Sequence, residues 1–187
     1  MTENSRQLSF EQIYQKYGER VLNLAYRFTR NEETARDLTQ DVFVKIYQKL
    51  DTYRSQSHIY TWIYRIAVNH FLNYIKKERK WRWTQLLEKT SGEERHAEGS
   101  IDAHWPTGHM PSPDRVLEKT EREKIVLDLI NSLPPKYRTP LILQRYEEMN
   151  YQEIAEILSL SGSAVETRLH RAKKMLLEKL KPWLRHL

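Results

Sequence analysis

No cysteine occurs among the 187 residues. That excludes disulfides and cysteine nucleophiles, and a zinc site would need other ligands. Glycine is scarce at five residues, and Gly92, Gly99 and Gly108 fall in one segment. No glycine-rich loop able to cradle a phosphate can be read in the chain, so nucleotide chemistry lacks support. No apolar run approaches the length of a membrane span. The opening stretch, MTENSRQLSF, lacks the charged-then-apolar order of a signal peptide. The expectation is a cytoplasmic chain with no membrane insertion of its own. Alternating strand patterns of useful length are also missing, which leaves helices and loops.

What is present is charge with a positive bias. Lys and Arg number 31 against 25 Asp and Glu, for a net charge of +6 and a pI near 9.4. A basic balance points toward a polyanionic partner without establishing one. Hydrophobic residues make up 39% of the chain and charged residues 30%. Small helical units suit so economical a core.

The glycine-bearing segment TSGEERHAEGSIDAHWPTGHMPSP also carries Pro106, Pro111 and Pro113 and shows no sustained apolar period. It reads as a linker, with Glu93, Glu94, Glu98 and Asp102 contrasting with the basic stretch before it. The expected organisation is all-α: a helical unit over 8–83, a flexible linker over 84–112, and a second helical unit over 113–187. Several helix starts are marked. Ser9 with Gln12, Asn150 with Glu153, and Ser163 with Glu166 have capping-box spacing. Asn31 precedes Glu32 and Glu33, and Ser112 precedes Pro113. Pro140 predicts that its helix starts near Thr139 or bends there. Stripes of Phe10, Ile13, Tyr17, Val21, Leu24 and Phe28, and of Ala35, Leu38, Val42, Ile46 and Leu50, read as core faces.

The stretch TWIYRIAVNHFLNYIKKERKWRW is different. Wound at about 100° per residue, it puts Ile63, Ala67, Phe71, Tyr74 and Ile75 on one arc. Trp62, Arg65, Asn69, Asn73, Lys76 and Lys80 fall on the opposite arc, with Lys77 nearby. An indole stacks on bases, amides read base edges, and cations hold phosphates. Together they suit a single strand drawn out of a duplex. A packed Trp62 with solvated lysines is the plainer alternative. His58 and Tyr60, just before this helix, are candidates to extend a base pocket.

Further on, YQEIAEILSLSGSAVETRLHRAKKMLLEKL reads as helix, tight turn, helix. Ile154, Ala155 and Leu158 face inward from the first helix, and Val165, Leu169 and Ala172 from the second. Ser163, Glu166, Thr167, His170, Arg171 and Lys174 lie on the outer face of the second helix, flanked by Arg168 and Lys173. Arg171 suits guanine or phosphate, and Glu166 suits a cytosine amine, though Glu166 is also the third residue of the expected Ser163 capping box. His96, His104 and His109 lie in the linker without a rigid carboxylate arrangement. No metal site, cofactor or catalytic group is expected.

Three segments in order resemble one family. DLTQDVFVKIYQKL and TWIYRIAVNHFLNYIKK look like region two, and LPPKYRTPLIL with YQEIAEIL and AVETRLHRAKKML looks like region four, of the extracytoplasmic-function (ECF) sigma factors of bacterial RNA polymerase. The resemblance implies promoter-specific transcription initiation rather than enzymatic activity. The minus-ten element would be read as melted strand and the minus-thirty-five element as duplex. It also implies core polymerase as partner, through the largest-subunit clamp helices and the flap, with promoter DNA as a second partner and an anti-sigma factor as a third. Asp37, Gln40 and Asp41 match clamp-docking positions, and Val44 is expected exposed beside them. At Glu166 the family more often carries Lys or Arg, and at Ala164 Thr, so the minus-thirty-five preference implied is not the usual one. The alternative is a stand-alone helix-turn-helix repressor or activator.

Overall fold

The computed structural model describes residues 9–53, 57–91 and 121–184, and among these every regular element is helical. Helix α1 (Phe10–Thr29) starts where Ser9 can satisfy the first free amides. The Ser9 hydroxyl accepts from the Gln12 N–H, while the Gln12 side chain accepts from the Ser9 N–H at 2.9 Å. It ends at Arg30, which adopts a left-handed φ of 59°. Helix α2 (Glu32–Lys49) is capped by Asn31, whose side chain accepts from the Thr34 N–H at 2.8 Å. A short 3-10 turn, Leu50–Thr52, precedes the long helix α3 (Ile59–Ser91). That helix continues eight residues into the segment assigned to the linker.

The expected stripes form the core of this first unit. Ile13, Tyr17, Val21, Leu24 and Phe28 of α1, Ala35, Leu38, Val42 and Ile46 of α2, and Ile63, Ala67 and Phe71 of α3 are buried. Phe10, Leu50, Tyr74 and Ile75 are only partly covered. Leu22, Ala25, Phe43, Tyr64 and Val68 are buried in addition, so each helix hides a wider arc than a single stripe. Phe43 makes edge contacts with Phe10 and with Tyr14, the latter at 4.9 Å between centroids.

The second unit comprises α4 (Glu121–Asn131), α5 (Pro135–Tyr146), α6 (Tyr151–Leu158) and α7 (Gly162–Leu184). Helix α5 starts at Pro135, in the first turn where a missing N–H costs nothing. This corrects the expected start near Thr139. Pro140 lies inside α5 and is buried, so packing holds a residue that local preference would reject. The expected start at Ser112 and Pro113, the acidic linker residues and His96, His104 and His109 all lie outside the described residues.

Asn150 and Glu153 form both halves of their capping box, at 3.0 and 2.8 Å. The Ser163–Glu166 box does not form. Ser161 instead accepts from the Ala164 N–H at 3.2 Å, because α7 begins at Gly162. In SGS either serine has a plausible spacing, and the left-handed Ser159 (φ 53°) decides which one meets the helix end. Ile154, Ala155, Val165, Leu169 and Ala172 are buried as expected, Leu158 is half-buried, and Ile157 joins them.

The two units meet. Helix α3 packs on α6 and α1 on α4, and one continuous apolar cluster runs from Ile13 to Ala172. No helix among the described residues is long and apolar enough to cross a membrane.

Candidate nucleic-acid interface

The α3 face is assembled largely as its periodicity requires. Asn69, Asn73, Lys76, Lys77 and Lys80 are exposed on it. Lys76 and Lys80 rim a groove of about 650 Å³ with Leu72, Ile75, Arg79, Trp83 and Pro135. Trp83 is 65% exposed and Trp81 49%, two large rings left in solvent beside cations. Sequence reasoning noticed both tryptophans but did not place them in the site. Their signal was the closing WRW.

Two members of the expected stripe depart from it. Trp62 is half-buried, and its ring packs on Tyr53 at 5.2 Å between centroids, so the packed reading describes part of this side chain. Arg65 is occupied: it donates to the Glu156 carbonyl at 2.8 Å and lies 3.7 Å from the Glu156 carboxylate. The solvent-facing arc thus begins, in this arrangement, at Asn69. His58 and Tyr60 do come together, ring on ring at 6.4 Å, and burial pushes the Tyr60 hydroxyl up to about 12. It is a neutral phenol at any physiological pH.

On α7, Ser163, Glu166, Thr167, His170, Arg171 and Lys174 are exposed, and Arg168 is half-exposed. A shallow groove of about 360 Å³ lies between Ser163, Thr167, Arg168 and Arg171 of α7 and Lys136 and Tyr137 of α5. Lys136 sits over the Tyr137 ring at 4.9 Å. A hydrogen bond from Arg171 is the main influence holding the Tyr137 hydroxyl below its usual value, with Lys136 adding to it. The first turn of α5 therefore contributes a cation and an oriented hydroxyl beside the outer face of α7. Nothing in the sequence spacing marks that neighbourhood, because α5 and α7 meet only through packing.

On α2, Asp37, Gln40 and Asp41 are exposed. Val44, expected to be exposed, is half-buried, because the helix turns it toward the flank of the core. Asp41 is held by His70 of α3 at 3.0 Å. Burial of the imidazole, aided by Lys45, lowers the His70 pKa, and Asp41 only partly offsets this. His70 went unassigned in the sequence reading although it lies next to Asn69.

The units are joined by a charged node that sequence reasoning missed entirely. Glu147, at the C-terminal end of α5, is buried with 4% of its side chain exposed. It accepts a hydrogen bond from the Tyr64 hydroxyl and lies 3.5 Å from Arg20 and 3.6 Å from Arg27. Burial raises the Glu147 pKa, against the opposing pull of Tyr64, Arg27 and Arg20. Burial together with the neighbouring carboxylate also pushes the Tyr64 phenol up. Around the node, Arg30 pairs with Asp128 at 2.9 Å, Asn131 donates to the Arg27 carbonyl at 2.9 Å, and the Arg27 guanidinium covers the Tyr146 ring at 4.5 Å.

Comparison with known proteins places both halves. The family described as Sigma-70 region 2 matches residues 13–81, and Sigma-70, region 4 matches residues 123–176. The RNA polymerase sigma factor YlaC of Bacillus subtilis is 34% identical over 165 residues, 88% of each chain. The RNA polymerase sigma-H factor of Pseudomonas aeruginosa is 30% identical over 177 residues, 95% of this chain and 89% of its own length. Among solved structures, the sigma factor RpoE of Bartonella quintana, in complex with the anti-sigma factor NepR, shares the fold. Its TM-score is 0.62 at 21% identity, covering 92% of this chain and 96% of that one.

Proposed function

The chain belongs to the ECF sigma factors of bacterial RNA polymerase, and from that premise we propose how its surfaces divide the work of initiation. The exposed α2 face of Asp37, Gln40 and Asp41 docks on the clamp helices of the polymerase largest subunit. Region four, α4 to α7, sits near the flap and lays α7 in the major groove of the minus-thirty-five element. Thr167 and His170 are then nearest the base edges, with Arg171 on the phosphate backbone and Ser163, Glu166, Arg168 and Lys174 around them. The α3 face receives the melted minus-ten strand: Asn69 and Asn73 read base edges, and Lys76, Lys77 and Lys80 hold phosphates. Trp62 and Arg65 complete this face at its N-terminal end.

The mechanism uses binding energy alone. Drawing a base from the stack costs a few kcal/mol, about what one stacking platform and its hydrogen bonds return. No covalent step is assigned to this chain, and it acts in the cytoplasm, where core polymerase is. An anti-sigma factor that covers both DNA-facing units is its third partner.

The observation that carries this reading is the pairing of two separate DNA-facing surfaces, an amide-and-cation stripe on α3 and a helix-turn-helix at α6–α7. They follow in the order in which the two family regions match the chain. The test is run-off transcription from a genomic fragment library with purified core polymerase. New start sites that depend on this protein are expected. Identical transcripts with and without it would overturn the assignment. Specific retention of promoter fragments by the free protein, with no effect of polymerase, would favour a stand-alone helix-turn-helix regulator.

A further inference from the structure

Helix α3 carries two indoles in the stretch WRW that the core does not take up. Trp83 is the most exposed large hydrophobic side chain among the described residues, and Trp81 is exposed as well. An indole left in water has much to gain from a partner. Angular position separates the two. At about 100° per residue, Asn73, Lys76, Lys80 and Trp83 all fall within about 40° of Asn69. Trp81 falls about 120° away from it. Trp83 is thus the next member of the amide-and-cation stripe, one turn beyond Lys80 and about 21 Å along the axis from Asn69.

The surroundings select a polyanion. Glu78 is the only carboxylate between Asn69 and Trp83, and it lies about 180° from Asn69, on the far side of the helix. Lys76, Lys77, Arg79 and Lys80 are exposed in the turns before Trp83. Leu72 and Ile75 give the groove of about 650 Å³ an apolar lining next to the indole, and Lys76, Arg79 and Lys80 line it with charge. An uncharged aromatic partner would leave the cations unanswered. A bare phosphate would leave the indole uncovered. A nucleotide answers both, with its base against the rings and aliphatic carbons and its phosphate against the cations.

We infer that Trp83 is a stacking platform for an unpaired base of the melted strand, beyond the bases that Asn69 and Asn73 meet. The inference rests on the reading of α3 as the strand-capturing face and extends that face toward the C-terminal end of the helix. Lys76 and Lys80 hold the phosphates that lead to this base. Six stacked nucleotides span about 20 Å at 3.4 Å each, and unstacked ones reach further, so a short open stretch connects the amides to the indole. Trp81 points away from that path.

The test uses the full chain with core polymerase on a promoter found by the run-off assay above. Trp83→Ala replaces an exposed residue with a better helix former and should leave the melting temperature unchanged. It is expected to lower promoter opening by roughly 5- to 150-fold, the worth of one stacked base. Trp83→Phe should keep most of the opening, and Trp81→Ala all of it. An abasic nucleotide is then placed at each position of the melted strand in turn. At one position the parent and Trp83→Ala should open equally, because the base that stacks is gone. A loss that persists at every abasic position, or no loss at all, overturns the platform, and so does an equal loss from Trp81→Ala. Weaker polymerase affinity in Trp83→Ala, in place of weaker opening, would assign the indole to a protein contact instead. Opening lowered by Asn69→Ala with Asn73→Ala but not by Trp83→Ala strikes the platform and leaves the strand-capturing face standing. Opening untouched by all three replacements strikes the reading of α3 itself, and the platform with it.

Discussion

Replacing Asn69 and Asn73 by alanine separates strand capture from folding. Both side chains are exposed on α3, one helical turn apart. Surface replacements of this kind stay within about 0.5 kcal/mol in stability, and alanine is the better helix former. The core face of the same helix, Ile63, Ala67 and Phe71, is untouched. If each amide makes one net hydrogen bond to an unstacked base, each contributes about 0.5–1.5 kcal/mol. The pair is then worth roughly 1–3 kcal/mol, or about 5- to 150-fold in the equilibrium between closed and open promoter complexes. Permanganate reactivity of unpaired thymines measures that equilibrium, while fluorescence anisotropy measures core-polymerase affinity and thermal melting measures stability. Opening should fall with the other two unchanged. Unaltered opening, or a parallel loss of polymerase binding in a folded variant, refutes the assignment of this face. Trp62→Ala would be a poorer probe. Its ring is half-buried against Tyr53, and losing about 100 Å² of packed surface removes about 2.5 kcal/mol of stability along with any stacking.

Charge reversal at Asp37, which is exposed, should weaken polymerase association while leaving duplex binding by region four intact, and equal polymerase affinity would show that the docking face is misplaced. Asp41 is less clean, since a lysine there would face His70 and Lys45. Because His70 has a lowered pKa when folded, the unfolded chain binds more protons just below pH 6.5. Stability is therefore complete above that value and declines as pH falls through the lowered pKa. His70→Gln should flatten melting temperature against pH in that window, and parallel curves for the two proteins would refute the linkage. Arg171→Ala should weaken binding to minus-thirty-five duplex by about tenfold and reduce the salt slope by about one, as loss of one phosphate contact does. An unchanged slope would remove Arg171 from the backbone contacts.

Most of the helical architecture was legible because its signals are local. Caps at Ser9, Asn31 and Asn150 satisfy amides within three residues, and the stripes on α1 and α2 follow from a single helical period. Where two local solutions compete, spacing alone does not decide. Ser161 and Ser163 both suit a cap, and the helix end takes Ser161; of the start or bend read at Pro140, the start falls instead at Pro135. The site divides in the same way. The exposed amides and lysines of α3 and the outer face of α7 were readable from angular position alone. The burial of Trp62, the tie between Arg65 and Glu156, and the approach of Lys136 and Tyr137 to α7 depend on partners from other helices.

Glu147 and Glu148 show why that dependence cannot be reduced to composition. They are adjacent, chemically identical, and lie in the same polar run, RYEEMN, where nothing in the spacing tells them apart. One is buried between two arginines and a tyrosine, and the other is exposed in a left-handed turn. The turn at Glu148 brings the Met149 N–H back to the Leu143 carbonyl at 3.3 Å and buries the methionine. That geometry holds Glu147 at the helix end, pointed toward α1 and α3. Its partners come from 83 to 127 positions earlier in the chain, beyond any periodicity window. A residue that opposes its own helix dipole and leaves water must be repaid by distant groups. Local rules that fail together at one point therefore mark a contact the chain makes with itself.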